Sequence, residues 1–277
     1  MYLWIALLFL GTTQQLVQGV PSTKKCVAHW ADNFNCSDFE VLNNINCWYD
    51  WRCNLTYFHE KDICSDVIDN YADNYVSMIW GVYPINNYTC HHDMQTPAVM
   101  GMNEPNHPNQ SNRTAAEVVA IWSELKANSN GLPLISPSAA KCGSGCAQTE
   151  LEWWDEFFLL CNGSCNVTYL AVHTYWCNAD KVMNYLEMLY NRYNRPIWLT
   201  EFACRPNVNN RNEGRIKRFM EDLLPRLEAA DYVIKYFWYM ARIPDNTGYI
   251  GTYGSLFRGY TTELTEPGEF YNNYNPS

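Results

Sequence analysis

Basic charge is scarce in this chain. Lys and Arg number 19 against 29 Asp and Glu, a formal net charge of −10. Nucleic acid and anionic membrane surfaces are bound through basic patches, so neither is expected as a partner. Long apolar runs are missing beyond the first ten residues. A bilayer-spanning helix needs about 20 predominantly apolar residues, and no later stretch supplies them. Phosphate loops are missing as well. Neither G-x-G-x-x-G nor G-x-x-x-x-G-K occurs, which argues against an open doubly wound nucleotide-binding sheet. No G-x-S-x-G elbow supports a serine triad, and no C-x-x-C pair or zinc-finger spacing supports a structural metal. One metal-like cluster exists, His91-His92-Asp93. Adjacent side chains on an extended chain point to opposite sides, so no metal and no cofactor are expected.

Aromatic residues, by contrast, are abundant: 11 Trp and 20 Tyr. Both carry polar tips that seek partners, so some should lie outside the core, where their rings suit the C–H faces of sugars. Residues 1–19 read as a signal peptide: an apolar stretch from Tyr2 to Leu10, then Gln14, Gln15 and Gln18, with Val17 and Gly19 small enough for cleavage after Gly19. All 12 cysteines follow that point, an even number suited to disulfides in an oxidising compartment. N-x-S/T sequons stand at Asn35, Asn54, Asn87, Asn109, Asn112, Asn162 and Asn166. A secreted, extracellular glycoprotein is expected, acting as a monomer.

No linker or low-complexity tract divides residues 20–277, which read as a single catalytic domain. Eight short apolar runs recur: Cys26–Trp30, Ile45–Trp48, Val76–Trp80, Ala98–Met102, Leu132–Ser136, Tyr169–His173, Pro196–Thr200 and Val233–Tyr239. Segments of helical spacing fall between the later ones. Capping boxes at Thr114/Glu117 and Thr149/Glu152 open helices over Ala115–Leu125 and Glu150–Leu160. Lys181–Tyr190 and Ile216–Leu227 follow, with Pro225 a candidate kink or end point. Strands alternating with helices imply parallel pairing. Eight such units in about 250 residues predict an α/β fold, a (β/α)8 TIM barrel of one domain with disulfide-stapled loops. Cys177 follows the sixth strand and Cys204 the seventh. Neighbouring strand ends share a rim, so this pair is a candidate disulfide.

The run "VMGMNEP" carries an apolar strand, the fourth, directly into Glu104. The seventh, "IWLTEF", ends the same way in Glu201. Side chains at the C-terminal strand ends of a barrel face the catalytic mouth. Two carboxylates across that mouth are the equipment of glycoside hydrolysis, one protonated to assist the leaving oxygen and the other ionised. These two motifs together look like the clan A glycoside hydrolases. More of the chain resembles glycoside hydrolase family 128, secreted endo-β-1,3-glucanases: "INCWYDW", "YVSMIWG", "GMNEPNHPNQSN", "WWDEFF", "VTYLAVHTYW", "RPIWLTEFAC", "YFWYMAR" and the late "GTYGSLF" and "LTEPGEFY", over roughly residues 24–274. The departures are the number of cysteines and a Cys-rich, insertion-like stretch from Asn33 to Cys64.

The resemblance implies Glu104 as acid/base, Glu201 as nucleophile, and a β-glucan polysaccharide or oligosaccharide as substrate. Asn103 is placed to hydrogen-bond the sugar 2-OH. His173 is read as orienting a carboxylate or a sugar hydroxyl, and Tyr175 as a donor to Glu201. Trp48, Tyr49, Trp51 and Trp80 are read as cleft-lining, and Trp238 as the floor where cleavage starts. Two alternatives stand beside this reading. One is a catalytically silent β-glucan-binding protein on the same fold, which would predict loss of a carboxylate. The other is a hydrolase of another β-linked polysaccharide, which the cleft loops would decide.

Overall fold

A computed structural model describes residues 20–81, 96–207, 211–245 and 249–276. The expected signal peptide, Asn87 and the His91-His92-Asp93 cluster lie outside them. Among the described residues eight strands form, one for each apolar run. They are β1 (Lys25–Ala28), β2 (Cys47–Tyr49), β3 (Ser77–Met78), β4 (Val99–Met100), β5 (Leu134–Ile135), β6 (Val167–Thr174), β7 (Ile197–Phe202) and β8 (Val233–Tyr239). Neighbours pair in parallel in the order β2-β1-β8-β7-β6-β5-β4-β3. A parallel bridge between Trp48 and Tyr75 joins the two ends, with the Val76 N–H donating to the Trp48 carbonyl at 2.8 Å. The result is a (β/α)8 barrel.

Helices α1 (Asp38–Val41), α2 (Thr56–Glu60), α3 (Ala115–Asn128), α4 (Glu150–Cys161), α5 (Ala179–Tyr193), α6 (Glu213–Ala229) and α7 (Glu266–Asn273) surround it. Both capping boxes form, at the starts of α3 and α4. The spacing of Val182, Tyr185, Leu186 and Leu189 buries one face of α5. Pro225 neither ends α6 nor stops it short, since the helix continues to Ala229. It sits on the exposed face, where solvent can satisfy the carbonyl that its missing N–H leaves behind.

Two cores follow from the period-two alternation of the strands. Cys26, Ala28, Tyr49, Val76, Met78, Met100, Ala171, Trp198 and Phe237 fill the barrel interior. Val27, Trp48, Val99, Leu134, Val172, Leu199 and Trp238 face the helices. Large rings in the outer layer pair their polar tips: Trp122 Nε1 donates to the Cys165 carbonyl at 2.8 Å and Trp154 Nε1 to the Pro137 carbonyl at 2.9 Å.

Disulfides join Cys26 to Cys47, Cys36 to Cys64, Cys142 to Cys146, Cys161 to Cys165 and Cys177 to Cys204. Cys53 is disulfide-bonded too. The Cys177–Cys204 bridge spans the rim between the ends of β6 and β7, with Cα atoms 4.4 Å apart. No helix of the described residues is long and apolar enough to cross a membrane.

Candidate active site

Glu104 is delivered to the mouth by a close approach and a turn. Strand β4 runs into Gly101, where a Cβ would meet the Pro137 nitrogen at 2.9 Å, so only glycine lets the two chains lie this near. The Asn103 N–H donates to the Trp80 carbonyl at 2.9 Å, and the Glu104 N–H to the Ser138 carbonyl at 3.0 Å. Glu104 itself takes a left-handed conformation, φ 44°. Such a conformation is uncommon for a residue that is not glycine and concentrates at functional sites. Trp51, past the end of β2, is the other left-handed residue of the cleft, φ 65°.

Glu201 reaches the mouth by a slip in strand phase. Along β7, Ile197 and Leu199 face the helices and Trp198 faces the interior. Strict alternation would send residue 201 outward. The pairing register shifts between Leu199 and Phe202 on the β8 side, and between Val172 and His173 on the β6 side. Phe202 therefore takes the outward phase and Glu201 lines the cleft, a re-aiming typical of bulges.

The two glutamates converge on His173. Its Nδ1 lies 3.0 Å from Glu104 Oε1 and 3.5 Å from Glu201 Oε2. One donor atom from each of the three residues lies within 4.8 Å of the others. Three such donors could meet a cation, yet the Glu201 oxygens already accept several hydrogen bonds. Trp51 Nε1 donates to Oε1 at 2.8 Å, Tyr49 OH donates to Oε1 at 3.3 Å, and Tyr175 OH donates to Oε2. That donor set holds an anion in one orientation.

Electrostatics at this pair oppose one another. Burial raises the Glu201 carboxyl; the positive His173 lowers it, the Glu104 charge raises it, and the Tyr175 and Trp51 hydrogen bonds lower it, leaving a net rise. Burial alone would lower His173, but the charges of Glu201 and Glu104 outweigh burial and raise it.

A cleft of about 1200 Å³ opens over the pair. Of the residues read from sequence, Trp51, Trp80, Asn103, Glu104, His173, Tyr175 and Glu201 line it. Asn103 Nδ2 donates to Gln110 Oε1 at 3.2 Å, and its buried Oδ1 has no partner among the described residues. Three placements differ from expectation. Trp48 is buried in the outer layer, its Nε1 donating to the Tyr71 carbonyl at 2.9 Å. Trp238 is buried against Phe202 and Tyr271, with Nε1 on the Gly254 carbonyl at 2.8 Å. Both point outward because strand alternation gives the interior to their neighbours Tyr49 and Phe237. Tyr49 does not line the cleft but lies beneath it, fully buried, as a donor to Glu201. Trp30, Arg52, Tyr239, Tyr249 and Arg205 line the cleft without having been singled out. Only the general richness in aromatics pointed toward Trp30, Tyr239 and Tyr249, and no signal pointed toward the two arginines.

Of the described sequons, Asn109, Asn112, Asn162 and Asn166 are exposed, while Asn35 and Asn54 are half-buried.

The fold and its mouth are those of a glycoside hydrolase, and a family profile described as the glycosyl hydrolase catalytic core matches residues 27–271. A solved endo-β-1,3-glucanase of glycoside hydrolase family 128, from Sorangium cellulosum, is 28% identical, with a TM-score of 0.73 over 90% of this chain and 97% of that one. An endo-β-1,3-glucanase from Pseudomonas viridiflava shares the fold at 23% identity and a TM-score of 0.73, over 92% and 99% of the two chains. An exo-β-1,3-glucanase from Cryptococcus neoformans shares it at 22% identity and 0.70, over 90% and 97%. Alkali-sensitive linkage protein 1 of Schizosaccharomyces pombe is 27% identical over 180 residues, which is 62% of this chain and 32% of that protein. The chain belongs to the glycosyl hydrolase catalytic core family, and within it to glycoside hydrolase family 128.

Proposed function

We propose that this protein is a retaining endo-β-1,3-glucanase in which Glu201 is the nucleophile and Glu104 the acid/base. The observation that carries the reading is the approach of the two carboxylates, with donor atoms within 4.8 Å. A separation of about 5 Å suits direct attack by one carboxylate, whereas inversion leaves room for a water between groups about 6.5–9.5 Å apart. The division of roles follows from their partners. Glu201 is held by three donors suited to an anion. Glu104 is half-buried, and among the described residues its carboxylate pairs with His173, Nδ1 to Oε1 at 3.0 Å, which leaves its second oxygen open to exchange a proton with substrate. In the first step Glu201 attacks the anomeric carbon while Glu104 gives its proton to the glycosidic oxygen, and the leaving chain departs. In the second, Glu104 takes a proton from water, whose oxygen attacks the same carbon and releases Glu201. The unpartnered Asn103 Oδ1 is placed to accept from the 2-OH of the sugar under attack. β-1,3-Glucan as substrate is supported by the likeness to the Sorangium cellulosum enzyme. Endo action is supported by that likeness and by the size of the cleft. The disulfides and exposed sequons support a secreted, glycosylated protein.

Azide tests the roles. Each Glu→Ala variant should lose about 10²–10⁴-fold or more in hydrolysis. On an activated β-glucoside, azide should rescue Glu104→Ala with a β-configured product, because the glycosyl–enzyme still forms. Azide on Glu201→Ala should give the α product by direct attack from the vacated face. Products the other way round would reverse the roles, and unaffected hydrolysis in both variants would remove the pair from catalysis.

A further inference from the structure

Trp30, just past the end of β1, is a large apolar side chain left 39% exposed, and it lines the cleft. Its ring is not loose. Its Nε1 donates to Asp32 Oδ2 at 2.9 Å. Asp32 Oδ1 in turn accepts from Tyr57 OH at 2.8 Å. Tyr57 belongs to α2, inside the Cys-rich stretch that the Cys36–Cys64 disulfide closes. The same Tyr57 ring supports the Arg52 guanidinium at 3.7 Å from its centroid. Arg52 also lies 5.6 Å from the centroid of Trp30 and is tied to the buried Asp50 at 2.6 Å. One tyrosine thus fixes an exposed indole and a guanidinium side by side in the cleft wall.

The wall has a definite position along the substrate. The rings of Trp30 and Trp51 lie 5.6 Å apart, and Trp51 Nε1 is 2.8 Å from Glu201 Oε1. Glu104 is flanked instead by Asn103, His107 and Ser138. Trp30 therefore stands on the Glu201 side, one indole removed from the carboxylate that attacks the anomeric carbon. On the proposed mechanism the oxygen of the leaving chain takes its proton from Glu104 and so borders that residue, which assigns the cleft beyond Trp51, at Trp30, to the glycone. An indole offers an apolar face to pyranose C–H groups, and a guanidinium held flat offers hydrogen bonds to hydroxyls.

We infer that Trp30 and Arg52 form a glycone-side platform that binds β-1,3-linked glucosyl units beyond the sugar under attack, and that the Cys-rich stretch holds this platform through Tyr57 and Asp32. This rests on the proposed β-1,3-glucanase activity and on the roles given to the two glutamates. Binding energy gathered at a remote subsite is realised only by substrates long enough to reach it. The signature is therefore chain-length dependence, which a merely structural role would not produce.

The test compares kcat/KM on β-1,3-linked glucose oligomers from trimer to hexamer, for the full chain and its Trp30→Ala, Trp30→Phe and Asp32→Ala variants. Trp30→Ala should lower kcat/KM for the hexamer about tenfold more than for the trimer, the loss of a single good contact. Trp30→Phe should restore much of that preference. Asp32→Ala frees the ring without removing it and should give a smaller loss with the same length dependence. Melting curves separate these effects from misfolding, and Trp30→Phe keeps a packed ring should Trp30→Ala be unstable. Equal losses at every length, or no loss, would overturn the platform while leaving the proposed activity standing. A wild-type chain that cleaves none of the oligomers would overturn both.

Discussion

Tyr175 shows how much the chemistry hangs on single side chains. Its hydroxyl donates to Glu201 Oε2, so it favours the ionised form against the burial that raises this carboxyl. Removing the donor should raise the Glu201 pKa further. Tyr175→Phe is thus expected to lose roughly tenfold or more in kcat/KM, the worth of a hydrogen bond to a charge. The acid limb of its pH profile, which reports the essential base of the free enzyme, should move to higher pH. An unmoved limb would mean that Tyr175 does not hold the Glu201 charge. Both glutamates were legible at this scale, because each ends an apolar run. The aims of Trp48 and Trp238 were not. An aromatic residue in a short strand reads the same whether it faces the barrel interior or the helices, and only the register decides. The slip that turns Glu201 inward at Thr200 has no compositional mark at all.

Short elements are where local sequence said least. Helices α3 to α6 are long enough to show apolar spacing and caps, and each was visible. Helices α1 and α2 are four and five residues long, too short for a periodic pattern, and they form because tertiary contacts hold them. Asp38 at the start of α1 is the clearest such contact. It is fully buried between His29, at 2.7 Å, and the guanidinium of Arg242 beyond β8. Burial alone would raise its carboxyl, but the hydrogen bonds and charges of His29 and then Arg242 outweigh burial and hold it below its usual value. Its folded-state pKa is therefore depressed relative to the unfolded chain. The stability it contributes is complete above the unfolded value of about 3.9 and is lost as pH falls through the folded value. Asp38→Asn would leave Arg242 buried without its counter-charge and should cost about 3–5 kcal/mol near neutral pH. The gap in melting temperature between the variant and the wild type should narrow as the pH is lowered below about 4. A gap that held constant with pH would show that the Asp38 charge contributes nothing.

At the scale of the whole molecule, the barrel was readable because eight apolar runs alternate with helical segments and no nucleotide loop competes. The Cys-rich stretch was the opaque part: disulfide connectivity cannot be read from cysteine positions alone. It is also the part that carries Tyr57 and so the wall around Trp30. The barrel brings the glutamate pair to the cleft, and on the proposed reading the stapled loops shape what the pair meets. The reaction type is open to a direct measurement. Proton NMR of a β-1,3-glucan digest, recorded before mutarotation, reads the anomeric configuration of the first product. Double displacement at Glu201 requires the β anomer to appear first and the α anomer to grow in later by mutarotation. An α anomer that appears first would contradict a glycosyl–enzyme on Glu201 and require single displacement by water.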